Sequence, residues 1–212
     1  MLKVAVIALK GGSGKTTLTK SLGVAAEVDG KKTLIVDMDP QGSALIWADR
    51  RGDTIPPEVI SCPAPMLEKT LSRAEANDFD IVIFDTPPKL ADTSAAAAKL
   101  ADVVLVPCRP TQDDIDTLPM TKDLLAASTK AASFVVLNGC LPSKARIAES
   151  TETIETDHPE LHVSPRTFGQ RAAFADASIM GQTAQEYEPS GAAAKEITAL
   201  YNWIIETVGK GK

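Results

Sequence analysis

Eight consecutive residues, Lys10-Gly11-Gly12-Ser13-Gly14-Lys15-Thr16-Thr17, combine glycine, lysine and hydroxyl side chains in a spacing suited to anionic oxygens. Glycines let the chain turn sharply and bring several backbone N–H groups close to a phosphate with no side chain in the way. A helix starting at Lys15 points its unsatisfied N–H groups and positive dipole end at the same oxygens. Lys15 supplies a point charge for the β- and γ-phosphates of a nucleotide, and the Thr16 hydroxyl is placed to ligate Mg²⁺. The stretch departs from G-x-x-x-x-G-K-[ST] at its first position, where Leu9 stands, and it carries an additional lysine, Lys10. Gly12-Ser13-Gly14 also begins a dinucleotide fingerprint, but Thr17 replaces the third glycine and Lys15-Thr16 has no purpose under a pyrophosphate alone.

Carboxylates at the ends of apolar runs supply the rest of the chemistry. Ile81-Val82-Ile83-Phe84-Asp85 is four apolar residues closed by an aspartate, with Thr86-Pro87-Pro88 following. This is the Walker B form, and Asp85 is expected to contact Mg²⁺ through water. Asp37-Met38-Asp39-Pro40-Gln41-Gly42 follows another apolar run, and for either aspartate the plain alternative is a turn or helix-cap carboxylate. Pro40 fixes the backbone just after Asp39, which suits a rigidly aimed side chain.

The elements that must position these groups alternate regularly. Leu2–Leu9, Thr33–Val36, Asp80–Phe84, Val103–Val106 and Phe134–Leu137 read as buried strands, with Val59–Cys62 and Leu161–Val163 as shorter candidates. Lys15–Val28, Pro65–Ala76, Ser94–Ala101, Asp113–Ala127 and Ala145–Thr156 read as helices, with Leu18, Leu22, Ala25 and Val28 on one face of the first. A last helix carries Ile197, Leu200, Tyr201, Ile204, Ile205 and Val208 at helical spacing, a stripe expected to be buried on the sheet. The rhythm predicts an α/β fold, a mostly parallel twisted sheet with helices on both faces, in a single domain over residues 1–212. Ligands in such a sheet sit at the carboxyl ends of the strands, where every motif above falls.

Composition narrows the class. Apolar residues at 44% and charged ones at 24% are ordinary for a globular domain, and no apolar run approaches the roughly 18–20 residues that span a bilayer. Cys62, Cys108 and Cys140 are widely spaced with no C-x-x-C, and only His158 and His162 are present, so neither a disulfide framework nor a zinc site is expected. The strand begins at once after Met1, so no secretory signal is expected and a cytoplasmic location follows. A net charge of −6 argues against a polybasic nucleic-acid binder, though not against a local basic patch.

The string KGGSGKTT resembles the deviant Walker A motif of the ParA/MinD family of P-loop ATPases, and Asp37–Gly42 resembles that family's D-x-D-P-Q-G segment. The resemblance implies ATP and Mg²⁺ as cofactors and a P-loop NTPase fold. It implies that Lys10 reaches across an ATP-sandwich homodimer to the partner's nucleotide, that Asp39 polarises the attacking water, and that Asp37 lies close to the metal shell with Thr16 and Asp85. Asp85–Leu90 looks like the second switch loop. Val106–Thr111 resembles the family's P-x-x-P stretch, placing Pro107 near the nucleotide, and Asn138 occupies the place where the adenine edge is read. Arg166–Ala177 with Gly181, and Ser190–Leu200, resemble the C-terminal region of small ParA proteins.

With no segment expected before the phosphate loop, the chain is most similar to the short ParA proteins of plasmid partition systems. Members of that kind bind DNA without sequence preference as ATP dimers on the nucleoid. They release it when a centromere-binding or cargo-adaptor protein stimulates a weak ATPase. Arg146, Arg166, Arg171 and Lys195 are the candidate DNA contacts. Other readings are a MinD-like membrane ATPase, a metabolic P-loop ligase, a reductase of the nitrogenase iron-protein type, and a nucleotide-gated module that barely hydrolyses. The last helix runs straight into Val208-Gly209-Lys210-Gly211-Lys212, leaving no basic amphipathic helix for a membrane, and the cysteines are not placed for a cluster.

Overall fold

A computed structural model describes residues 1–52 and 54–209; Asp53 and Lys210–Lys212, the last of the residues after the final helix, lie outside the described residues. The strands are β1 (Leu2–Val6), β2 (Thr33–Asp37), β3 (Glu58–Ser61), β4 (Ile81–Asp85), β5 (Val103–Cys108), β6 (Ala132–Leu137) and β7 (His162–Val163). They form one sheet in the order β3-β2-β4-β1-β5-β6-β7, and every pairing is parallel. The helices are α1 (Lys15–Val28), α2 (Ser43–Arg51), α3 (Leu67–Ala76), α4 (Ala91–Leu100), α5 (Gln112–Ile115), α6 (Leu118–Ser128), α7 (Lys144–Asp157), α8 (Ala172–Ile179), α9 (Ala184–Tyr187) and α10 (Ala192–Gly209).

Because strand side chains alternate between faces, each strand feeds two cores. Val4, Val6, Ile81, Ile83, Val103 and Leu105 pack against Leu18 and Leu22 of α1 and Ile197, Leu200 and Ile204 of α10. Ala5, Val82, Phe84, Val104 and Val106 face the other way, onto Leu67 and Leu71 of α3, Ala97 of α4, Leu118 of α6 and Ile154 of α7. A smaller cluster joins Val24 and Ile35 to Ala44 and Trp47 of α2. The same alternation decides where the aspartates point. Asp85 continues the Ile81–Ile83 face, so its carboxylate is delivered to α1. Register sets Asp85 beside both Val6 and Asp37, which brings the end of β4 to the start of the phosphate loop.

Several elements differ from the sequence expectation. β5 runs through Pro107 to Cys108 instead of stopping before it. Leu105 bonds toward β1, accepting from the Ile7 N–H, while Cys108 bonds toward β6, accepting from the Asn138 N–H. Pro107 therefore faces the β1 side, where pairing has already ended, and its missing N–H breaks no ladder bond. The single helix expected over 113–127 is two, α5 and α6, because Pro119 fits only the first turn of a new helix. Val28 is 79% exposed, not part of the α1 core face. Helices α2 and α8 were not anticipated. Each buries very little of itself, Ala44 and Trp47 in α2 and Ala177 alone in α8, so neither shows a clear apolar period.

Candidate nucleotide site

Between β1 and α1 the chain turns through Gly12 at φ 74° and Gly14 at φ 94°, left-handed conformations that favour glycine. Gly14 is the N-cap of α1 and offers no side-chain acceptor, so the first N–H groups of the helix are left for a ligand. Inside the loop the Ser13 hydroxyl is buried without a hydrogen-bond partner among the described residues. Below it, the Thr16 hydroxyl donates to Asp85 Oδ2 at 2.7 Å, and the Thr19 hydroxyl one turn on lies 3.5 Å from Asp85 Oδ1. Burial pushes the Asp85 carboxyl up to about 7; the Thr16 bond and the Lys15 charge act the other way. A divalent cation would supply the positive charge that this buried carboxylate lacks.

Lys15 is itself buried, and its ammonium donates to the Lys10 carbonyl at 3.3 Å. Desolvation lowers its pKa, opposed by the nearby charges of Asp85 and Asp39. Orphaned hydroxyl, glycine cradle, buried lysine and a Thr–Asp pair together fit a magnesium nucleotide, with Lys15 and the loop amides for the phosphates and Thr16 and Asp85 for the metal.

Residues 4–188 match the CobQ/CobB/MinD/ParA nucleotide binding domain. The chain belongs to this family. It is 32% identical over 193 residues to the maintenance of carboxysome distribution protein A of Gloeobacter kilaueensis, covering 87% of this chain and 88% of the relative. The Halothiobacillus neapolitanus protein of the same name is 30% identical over 212 residues, 95% of each chain. Among solved folds, the MinC:MinD complex of Aquifex aeolicus superposes with a TM-score of 0.80 at 19% identity, covering 97% of this chain and 96% of that one. An apo McdA from Cyanothece gives 0.74 at 19%, with 94% and 98% covered.

Within this family fold, the sequence-predicted residues divide. Lys10, Ser13, Lys15, Thr16, Asp39 and Asp85 come together at the phosphate loop, with Gly11 and Thr17 on either side. Asp39 is half-buried; its Oδ1 accepts from the Gln41 N–H at 2.9 Å, an Asx turn that fixes the side chain.

Asp37, expected close to the metal shell, stands beside Asp85 in register and uses its oxygens on backbone amides. Its Oδ1 accepts from the Asp39 N–H at 3.0 Å, and its Oδ2 from those of Ala44 and Leu45 at 2.9 and 3.1 Å. Both oxygens are thus occupied in holding the 38–42 loop and the start of α2. Burial raises the Asp37 pKa and the three amides oppose it. Pro107, expected beside the nucleotide, is buried in β5 opposite Val136. Asn138 reaches the loop, but its Nδ2 donates to the Ser13 carbonyl at 2.7 Å, so the side chain braces the loop.

The candidate DNA contacts Arg146, Arg166, Arg171 and Lys195 are all exposed, and Arg171 also forks onto Glu196, which accepts from the Gly169 N–H as well. The Arg171–Glu196 pair ties the segment before α8 to α10.

Sequence reasoning missed three participants. Thr19 lies three residues from Thr16, on the same face of α1, a spacing that could have revealed it. Asp114 receives Lys10, and no local pattern links two residues 104 positions apart. Arg109 brings one guanidinium nitrogen to 3.8 Å from where a Cβ on Gly12 would stand.

Proposed function

We propose that this chain is a magnesium-dependent ATPase that forms an ATP-sandwich dimer, binds DNA without sequence preference as that dimer, and positions a cargo through partner-stimulated hydrolysis. The observation that carries this reading is the presence of two lysines on one phosphate loop. Lys15 is buried at the base of the loop, where it serves the chain's own nucleotide, whereas the Lys10 ammonium turns away from that position to Asp113 and Asp114 and in this reading serves a second nucleotide. Support also comes from relatives 30–32% identical over 87–95% of the chain and named for carboxysome distribution. A protein named ParA from Rhizobium radiobacter is 30% identical over 60% of the chain. A carboxysome-like body is the cargo that the first two names favour.

In this reading the loop amides and Lys15 bind and orient the triphosphate. Mg²⁺, held by Thr16 and Asp85, supplies charge neutralisation when bound. Asp39, with Oδ1 fixed by the Gln41 amide, turns its second oxygen to a water and orients it; phosphoryl transfer needs positioning and charge more than a strong base. Exposed Arg146, Arg166 and Lys195 provide the DNA contacts, and dimerisation doubles the cations presented on one face.

Light scattering with ADP and with ATP tests the dimer, and a gel shift with ATP, Mg²⁺ and random-sequence DNA at low salt tests the surface. The expected result is a doubled mass and a shift with ATP only. Equal mass in both states would sink the sandwich. No shift, together with ATP-dependent sedimentation on anionic liposomes, would move the function to a membrane surface.

A further inference from the structure

The ammonium of Lys10 is tied down within its own protomer, although 34% of the side chain stays exposed. It donates to the Asp113 carbonyl at 2.9 Å and to Asp114 Oδ2 at 3.0 Å. Asp114 is no ordinary surface carboxylate, with only 9% of its side chain exposed. The same Oδ2 accepts from the Thr111 hydroxyl at 2.7 Å, and the Asp114 carbonyl accepts from the Thr117 hydroxyl at 2.7 Å. Thr111 is the N-cap of α5 and Asp114 its third residue, so the carboxylate is fixed by the local fold before Lys10 arrives. Taking the cation away would leave this carboxylate nearly buried and unpaired, a cost that an exposed ion pair does not carry.

We propose that Asp114 is a positioning residue that stows Lys10 in its own protomer, so that dimerisation must exchange this carboxylate for the phosphates of a partner's nucleotide. The proposal rests on the sandwich dimer of the preceding reading and adds an internal competitor to it. A nucleotide-sensitive step is built into the same contacts. The Lys10 carbonyl accepts from the Lys15 ammonium, and that bond is given up when Lys15 turns to phosphate. Binding of nucleotide therefore loosens the backbone at Lys10, and the polyphosphate of a second protomer offers more negative charge than one carboxylate. The segment 109–114 thus sets a threshold, so that Lys10 leaves only when a loaded partner is present.

Two measurements test this. The first needs neither nucleotide nor dimer: acylation of lysines by an amine-reactive ester, read by peptide mass spectrometry, in the nucleotide-free protein. Lys10 should react several-fold more slowly than exposed Lys99 in the native wild type and equally in urea. The Asp114→Asn variant, which keeps an acceptor for Thr111, should remove that protection. Equal native rates for Lys10 and Lys99 in the wild type would overturn the pairing, whether or not the variant folds.

The second measurement is the protein concentration giving half dimer with ATP. It should fall about tenfold in Asp114→Asn, and adding Asp114→Asn to Lys10→Ala should change nothing further. An unchanged concentration in Asp114→Asn, or an equal drop in the Lys10→Ala background, would overturn the threshold role. A wild type that never dimerises would overturn the threshold and the sandwich together, and the acylation rates would then still judge the pairing itself.

Discussion

Asn138 Nδ2 donates to the Ser13 carbonyl at 2.7 Å, tying the end of β6 to the phosphate loop. The contact is possible only because the next residue has no side chain. A Cβ on Gly14 would stand 2.0 Å from that nitrogen, at a φ of 94° that a side chain also resists. Gly14→Ala should therefore displace Asn138 and abolish nucleotide binding by calorimetry. Asn138→Ala, which only frees the loop, should weaken binding about tenfold. Wild-type affinity in both variants would show that the brace is idle.

Asp37 and Asp39 should separate cleanly on substitution. Asp37→Ala leaves three buried or half-buried N–H groups without their acceptor and should cost about 2–3 kcal/mol, lowering Tm by about 4–12 °C. Asp39→Ala should melt within about 2 °C of the wild type, bind ATP, and hydrolyse it at least a hundredfold more slowly. Full ATPase activity in Asp39→Ala removes it from the water-positioning role.

Lys20 gives the fold a pH dependence of its own. It is buried on α1, donating to the Ser178 hydroxyl of α8 at 2.6 Å, with Trp47 and Arg50 of α2 and Asp85 of β4 around it. Burial, helped by repulsion from Arg50 and opposed by Asp85, pushes its pKa down from 10.5 to about 8. Below pH 8 both folded and unfolded chains carry the proton, and folding must bury a charge. Between about 8 and 10.5 the unfolded chain binds more proton than the folded one, so this group's contribution to stability rises with pH. Lys20→Met should be more stable than wild type at pH 7 by about 1–3 kcal/mol, with the advantage shrinking by pH 10. A difference constant across that range, by denaturant titration, contradicts a strained ammonium.

Charge reversal at the arginines should give two different phenotypes. Arg166→Glu, at an exposed side chain, should weaken DNA binding several-fold and flatten its salt dependence while leaving ATP affinity alone. Arg171→Glu sets two acids against each other at Glu196 and should lower Tm instead. Equal DNA loss in both with unchanged Tm would place Arg171 on the binding surface.

The phosphate loop, Asp85 and the parallel sheet were legible in the sequence because each rests on local spacing. An apolar tetrad closed by aspartate fixes both the strand and the face its last residue takes. Asp37 stayed ambiguous even though its partners are local, because its neighbours alone allow a metal ligand or a cap, and only the turn of the chain into α2 decides which N–H groups it meets. The rest that stayed hidden depends on distant partners. Arg51 pairs with Glu186 across 135 positions, and Gly181 passes so close to Arg51 that a Cβ would lie 2.4 Å from its backbone nitrogen. Those contacts explain why α2, with few apolar residues of its own, is nonetheless held in place.

Trp47 gives this site an optical reporter. One of two tryptophans in the chain, it lies buried in α2, the helix that Asp37 anchors directly after the Asp39 loop. Its indole N–H donates to the Gln182 carbonyl at 3.1 Å, with Arg51 at 5.2 Å and Lys20 at 5.9 Å from the ring. Cations this near an indole shift its emission, so any movement of α2 relative to α1 alters the colour of the light. Trp203 of α10, edge-on to Phe134 of β6, supplies an internal reference.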